Sequence, residues 1–248
     1  MKGIKIVISF FYRIYFGLVF FATGLLFLPL LMIMVRGESK YKTAFFLKKI
    51  WSKSICILVL VRVEVTGRDN FPVDSTYIVC PNHSSYLDII LMYQIIPKEF
   101  AFLGKAEVLR WPIINLFFKR GIDIPVYRYS VRRAKECIDL SEIALNEGRS
   151  VAIFPEGGMV RSKKLRRFKN GAFSLSVHAN KPIIPITFKN NFDLFTDHSD
   201  FFGICRPGIA HVVIHKPVEP SSFPEKDLIS LRNHTYNVIK KELNYEVR

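Results

Sequence analysis

The chain has 248 residues, half of them hydrophobic, with a mean hydropathy of +0.20 and 36 lysines and arginines against 21 acidic residues. The net charge of +15 suits an anionic partner, whether nucleic acid, phospholipid headgroups or an acidic carrier protein, and composition does not choose among these. The four cysteines, Cys56, Cys80, Cys137 and Cys205, form no CxxC pair, which leaves no zinc-site spacing and argues against a disulfide framework; reduced thiols in a cytosol-facing protein fit them better.

Residues 15–35, "YFGLVFFATGLLFLPLLMIMV", carry no charge over 21 positions, against about 20 needed for a helix to span a bilayer core. The block is too long for a signal-peptide core and no small-x-small cleavage site precedes "RGESKYK", so it reads as retained. Lys2, Lys5 and Arg13 precede it, and Arg36, Lys40, Lys42, Lys48, Lys49 and Lys53 follow. Basic flanks on both sides place both ends on the cytoplasmic side. Pro29 suits a kinked hairpin or re-entrant pair, and a single span is the alternative. The next segment, 40–61, has Phe45, Phe46, Ile50 and Trp51 at helical spacing with lysines on the other side, as an interfacial helix would. Residues 1–60 are thus expected to form a membrane-associated helical segment at the cell membrane.

From residue 61 the pattern changes. "VRVEVTG", "TYIVC", "EFAFLG", "IDIPVY", "SVAIFP", "IIPITF" and "AHVVIHKP" read as strands, and 86–96, 105–118, 131–147, 171–180 and 225–244 as helices. Alternating β and α predicts an α/β domain over 61–248, a mostly parallel sheet flanked by helices. In such sheets, sites gather beyond the carboxyl ends of the strands.

The strand "TYIVC" runs into "PNHSSYLD". On one continuous helix His83 and Asp88 would lie roughly 140° apart and never meet. They can meet only with His83 in the turn and Asp88 in the first helical turn. Ser85-Tyr86-Leu87-Asp88 supplies that boundary as a loose capping box, Ser85 at N-cap and Asp88 at N3. On spacing alone two readings stand: a catalytic pair, or a cap beside an ordinary turn histidine.

Other strand ends carry chemistry too. "VAIFPEGG" delivers Glu156 and then Gly157 and Gly158, which permit positive φ and close approach to a ligand, or merely a turn with an exposed glutamate. "RGIDIPVYR" ends in Arg128, whose fork of donors fits a phosphate or simply faces water. "KPIIPITF" is apolar and bracketed by Pro182 and Pro185, and packing is its default reading. In this order, the four blocks resemble those of the glycerolipid acyltransferase family, typified by the lysophosphatidic acid acyltransferases, over about residues 60 to 216. "NHSSYLD" is similar to its HxxxxD block, "GIDIPVYR" to its second block, Phe154-Pro155-Glu156-Gly157 to its FPEG block and "IIPI" to its fourth. The N-terminal apolar segment resembles that of bacterial members. After FPEG the family has Thr or Ser and then Arg, whereas Gly158 and Met159 stand here. Arg161, two residues later, is the candidate substitute.

The resemblance implies that His83 is the general base, taking the proton of a lipid hydroxyl that attacks a fatty acyl thioester, with Asp88 orienting the imidazole. It further implies that Arg128, Glu156 and Gly157 shape the acceptor site, Arg128 opposite a phosphate. Lys105, just past a strand end, adds positive charge there or stays a solvated surface lysine. The chain has no GxSxG elbow to supply a protein nucleophile. The expected partners are a lysophospholipid acceptor, acyl-CoA or acyl-carrier protein as donor, and a membrane surface. No cofactor and no metal are expected. The acceptor implied is 1-acylglycerol-3-phosphate, and the Gly158-Met159 departure keeps a lyso-aminolipid (ornithine or glycine lipid) open. The basic run 161–171 has six cations around Leu165 and Phe168, suited to headgroup phosphates, coenzyme A phosphates, an acyl-carrier protein or an anionic membrane surface.

Three further readings are weaker. His211 and His215 share a strand face but lie about 13 Å apart, too far to share one ion. Nucleic-acid binding has charge in its favour but no phosphate loop, zinc finger or RNP-like motif. A catalytically idle lipid-binding scaffold on the same fold is disfavoured by the intact His83 and Asp88.

Overall fold

The structure is a computed structural model that describes residues 2–34, 40–111, 113–127, 131–160, 162, 164–196 and 203–244. Its centre is a seven-stranded sheet. The strands are β1 (Val61–Thr66), β2 (Ile78–Pro81), β3 (Phe100–Lys105), β4 (Ile124–Val126), β5 (Ser150–Ala152), β6 (Ile183–Phe188) and β7 (Gly208–Ile214), in the order β1-β7-β6-β2-β5-β3-β4. β2 to β6 all run parallel; β7 is antiparallel to β6, and β1 is parallel to β7. The mostly parallel α/β sheet expected from the strand runs is therefore present. Because the five parallel strands share one direction, their carboxyl ends all open at one end of the sheet.

Side-chain alternation along the strands builds two cores, one on each face. Val79, Phe100, Phe102, Ile184, Ile186 and Val212 point to one face. There they meet α1 (Lys2–Met34), α2 (Lys40–Leu58) and α3 (Tyr86–Ile95). Their neighbours Ile78, Cys80, Ala101, Val151 and Ile183 point the other way, to α5 (Val131–Asn146), α6 (Gly171–Ala179) and α8 (Leu228–Asn244). α4 (Asn115–Lys119) and α7 (Asn191–Leu194) are short. All four cysteines are buried and unpaired, and burial pushes the thiols of Cys56 and Cys137 up to about 11 and that of Cys205 up to about 12.

Three sequence expectations differ from what forms. The stretch 105–118 is not one helix but a 3-10 turn at Ala106–Arg110 and then α4. Pro112 is the cause: the residue before a proline is pushed out of the helical region, and Trp111 is extended at φ −85° and ψ 121°. Secondly, of the two shapes open to the apolar segment, the hairpin does not form: α1 runs unbroken through Pro29 as a helix of 33 residues, about 50 Å long. Thirdly, one lysine of α2, Lys48, turns inward while Lys42 and Lys53 stay exposed. The inward face of α2 is Ala44, Leu47, Lys48, Trp51, Ser52 and Ile55, while Phe46 and Ile50 are exposed. Lys48 tolerates burial because its Nζ is 2.5 Å from Asp123 Oδ2 and lies over the Phe117 ring.

Among the described residues one helix is long and apolar enough to cross a membrane, α1 over Gly3–Ile33, and only 22% of its apolar window is buried. Its inner face lies along α2 and the sheet domain. Phe20 meets Trp51, the Trp51 indole donates to Thr23 Oγ1 at 2.9 Å, and Tyr15 donates to the Leu58 carbonyl at 2.8 Å. At Gly24 a Cβ would stand 2.6 Å from Ile113 Cδ1 and 3.2 Å from the Trp51 ring, so a larger residue there would push these side chains aside. The outer face exposes Ile4, Val7, Phe11, Leu18, Phe21 and Leu25.

Candidate active site

β2 is the central strand, and it stops at Pro81. Asn82 then replaces the missing ladder: its amide donates to the Phe188 carbonyl at 3.1 Å, and its Oδ1 accepts from the Phe188 N–H at 2.8 Å. The next residue, His83, is thereby held just beyond the carboxyl ends of β2 and β6. Its backbone is pinned on both sides. The His83 N–H donates to Glu156 Oε1 at 2.8 Å, and its carbonyl accepts from the Val160 N–H at 2.8 Å. Its ring stacks on Phe154, with centroids 3.8 Å apart.

His83 Nδ1 is 2.9 Å from Asp88 Oδ2. The carboxylate is fully buried, which is costly for a charge unless donors surround it. Oδ2 also accepts from the N–H groups of Ser84 at 2.8 Å and Ser85 at 2.9 Å, and Oδ1 accepts from the Asn191 amide at 2.7 Å. Ser85 is the N-cap, extended at φ −147° and ψ 152°, and its hydroxyl accepts from the Leu87 N–H at 3.1 Å. The positive end of α3 adds to the stabilisation of the Asp88 charge. Capping and pairing are therefore one geometry: the same oxygen that closes the capping box meets the imidazole. His83 Nε2 has no hydrogen-bond partner among the described residues. An imidazole fixed at Nδ1 and unoccupied at Nε2 is arranged to accept a proton at Nε2.

Beneath this pair lies the turn after β5. Glu156 is 2% exposed, and its second oxygen accepts from the Arg166 N–H at 2.8 Å. Burial pushes its carboxyl up to about 7, more than the two backbone donors pull it down. Gly157 has φ +74°, and a Cβ there would lie 2.7 Å from Lys169 Cε. Lys169 is itself anchored, its N–H on the Pro155 carbonyl at 2.8 Å. The basic segment therefore crosses directly over the Glu156 turn.

The sheet direction collects the sequence blocks at one end. His83 follows β2, Glu156 and Gly157 follow β5, and Lys105 is the last residue of β3, exposed and beside the last residue of β4. Arg128 and Arg161 lie outside the described residues. His211 and His215 go separate ways: His211 Nδ1 is 3.3 Å from Glu64 Oε2, and His215 Nε2 is 2.8 Å from Thr187 Oγ1. Sequence reasoning missed Asn82, Phe154 and Asn191. Asn82 and Phe154 lie within the "NHSSYLD" and FPEG blocks, but nothing local shows that one would fasten to Phe188 and the other stack on the imidazole; Asn191 lies in no block at all.

The sequence matches the Acyltransferase family over residues 62–189, a little over half of the chain. The chain belongs to that family. Among curated relatives, a chloroplastic 1-acyl-sn-glycerol-3-phosphate acyltransferase of Arabidopsis thaliana is 30% identical over 201 residues, 77% of this chain and 55% of that protein. An acyltransferase of the same name from Borreliella burgdorferi is 31% identical over 135 residues, 54% of each chain. The alpha form of Homo sapiens is 27% identical over 253 residues, covering 95% of this chain and 84% of that one. The chain spans between half and two thirds of the length of the first three curated relatives it matches. The fold of this Acyltransferase-family member is that of a 1-acyl-sn-glycerophosphate acyltransferase of Thermotoga maritima, with a TM-score of 0.76 at 23% identity over 100% of both chains.

Proposed function

We propose that the protein moves a fatty acyl group from a thioester donor, acyl-CoA or acyl-carrier protein, to the free hydroxyl of a lysophospholipid. The acceptor is 1-acylglycerol-3-phosphate and the product phosphatidic acid. The observation that carries this reading is the buried His83–Asp88 pair at 2.9 Å with Nε2 left unoccupied. The names of the relatives supply the substrate class. His83 Nε2 takes the proton of the acceptor hydroxyl as its oxygen attacks the thioester carbonyl. The tetrahedral intermediate collapses, the carbon–sulfur bond breaks, and the leaving thiolate receives that proton from the imidazolium. Asp88 keeps Nδ1 protonated throughout and balances the imidazolium charge. Thioester acyl transfer of this kind needs no redox group or metal.

In this reading Arg128, Arg161 and Lys105 supply the positive charge that binds the acceptor phosphate, and Gly157 lets the backbone approach it. Glu156 supports His83 from below. Residues 1–60 attach the protein to the cell membrane, with the exposed apolar face of α1 in the lipid and the domain 61–248 on the cytoplasmic side. The basic surface faces anionic headgroups there.

The test is acyl transfer by the purified protein in detergent, with both donors offered separately against lysophosphatidate and lyso-aminolipid acceptors. Phosphatidate formed by the wild type and abolished in His83→Ala, with membrane association unchanged, is the expected result. The Gly158-Met159 sequence after FPEG favours the aminolipid as second reading, and acylation of that acceptor alone would replace the first. Near-normal turnover by His83→Ala would refute the mechanism.

A further inference from the structure

Asn191 is the first residue of α7, three residues beyond the end of β6, and it is fully buried. Its amide nitrogen lies 2.7 Å from Asp88 Oδ1, 103 residues away in the chain. The two carboxylate oxygens are served unequally. Oδ2 takes His83 Nδ1 and two backbone N–H groups, whereas Oδ1 has Asn191 as its one donor among the described residues.

The other end of the Asn191 amide points to a specific role. Its Oδ1 is buried and has no hydrogen-bond partner among the described residues. Such an orphaned acceptor is destabilising, and a leucine would fill nearly the same volume without it. An asparagine that offers its nitrogen to a carboxylate and leaves its oxygen unpaired is there for the nitrogen. Packing holds it in place: Ser85 Oγ donates to the Phe195 carbonyl at 2.7 Å, so the residues just past α7 are fastened to the same capping turn.

We propose that Asn191 is a positioning residue for the general base. By holding Oδ1 it stops the Asp88 carboxylate from turning about its terminal bond, so Oδ2 stays on Nδ1–H of His83 and Nε2 remains the basic nitrogen. The kinetic side of this proposal rests on the acyl-transfer reading above; the structural side does not.

The experiment is a double-mutant cycle. Asn191→Leu and Asn191→Ala are each made in the wild type and in an Asp88→Asn background, and acyl transfer from acyl-CoA to lysophosphatidate is measured. With Asp88 present, either change should lower kcat by about 10- to 100-fold while KM for both substrates moves less than about threefold. In the Asp88→Asn background the same change should alter kcat by less than about twofold, because the residue it acts through is already altered. Equal losses in both backgrounds would make Asn191 a packing residue and overturn the proposal. So would an unchanged kcat in the wild-type background.

A second measurement needs no turnover. In protein labelled with 15N-histidine, His83 should be the Nδ1–H tautomer in the wild type and a mixture of tautomers in the folded Asn191 variants. An unchanged Nδ1–H signal there overturns the proposal. If Asn191→Leu does not fold, Asn191→Ala carries the same comparisons with room for a water. If the wild type transfers no acyl group, the acyl-transfer reading fails, and the imidazole spectra still decide the case for Asn191.

Discussion

Glu156→Gln tests how the turn after β5 supports the base. The carboxyl group sets one oxygen against each of two backbone N–H groups, His83 and Arg166, each at 2.8 Å, and both oxygens can accept whether or not the group is protonated. A glutamine offers one acceptor and turns an NH2 on the other donor. Leaving a buried N–H unpaired costs about 1–3 kcal/mol. The wild type carries an opposing cost that depends on pH. Burial moves the Glu156 carboxyl from 4.5 up to about 7, which is about 3 kcal/mol at about 1.4 kcal/mol per pH unit. Because the folded value is the raised one, this stabilisation is fully present below pH 4.5 and is lost as pH rises through about 7. Glutamine does not titrate and escapes that loss. The variant should therefore melt about 4–8 °C below the wild type at pH 5, taking a central cost of about 2 kcal/mol for a chain of this size. By about pH 8.5 the deficit should shrink to near zero. Thermal unfolding in one detergent at the two pH values is the assay. A deficit that is the same at both, or that grows with pH, refutes the reasoning.

The buried pair between α2 and the approach to β4 gives a second prediction. Lys48→Met leaves Asp123 buried without its cation, at a cost of about 3–5 kcal/mol in unfolding free energy, and adding Asp123→Asn should restore most of it. Chemical denaturation with an unchanged midpoint for the single variant would show that the pair contributes nothing. Gly157→Ala forces a Cβ into the left-handed region against Lys169, which should cost about 1–2 kcal/mol by the same measurement. An equally stable alanine variant would mean that the turn relaxes freely.

Legibility from sequence followed the distance between partners. The capping box at Ser85–Asp88 is a four-residue pattern, and the structure forms it with the imidazole docked on the same oxygen. Strand order and the reversal at β7 were not legible, but the common direction of β2 to β6 was: an α/β alternation implies parallel strands, which is why the sequence blocks meet at one end. The helical spacing sets the lysines of α2, Lys48 among them, on the wet side, where a lysine usually lies. The aspartate that overrides this lies 75 residues later. At 105–118 the apolar spacing of "LRWPIINLFF" suits a helix, but the residue before its proline, Trp111, is extended and divides the stretch. Asn191 had no signal at all, since its meaning is a single contact across 103 residues.

The burial of all four thiols has a consequence for selectivity. An enzyme of the proposed kind meets an activated thioester in every cycle and releases a free thiol beside its own surface. An exposed, low-pKa cysteine would compete with the lipid hydroxyl by trans-thioesterification and would end up acylated itself. Here Cys56, Cys137 and Cys205 are held as thiols by burial, and Cys80 is fully enclosed in β2. The fold thus withholds its own sulfur from the acyl group and leaves the acceptor hydroxyl without an internal rival.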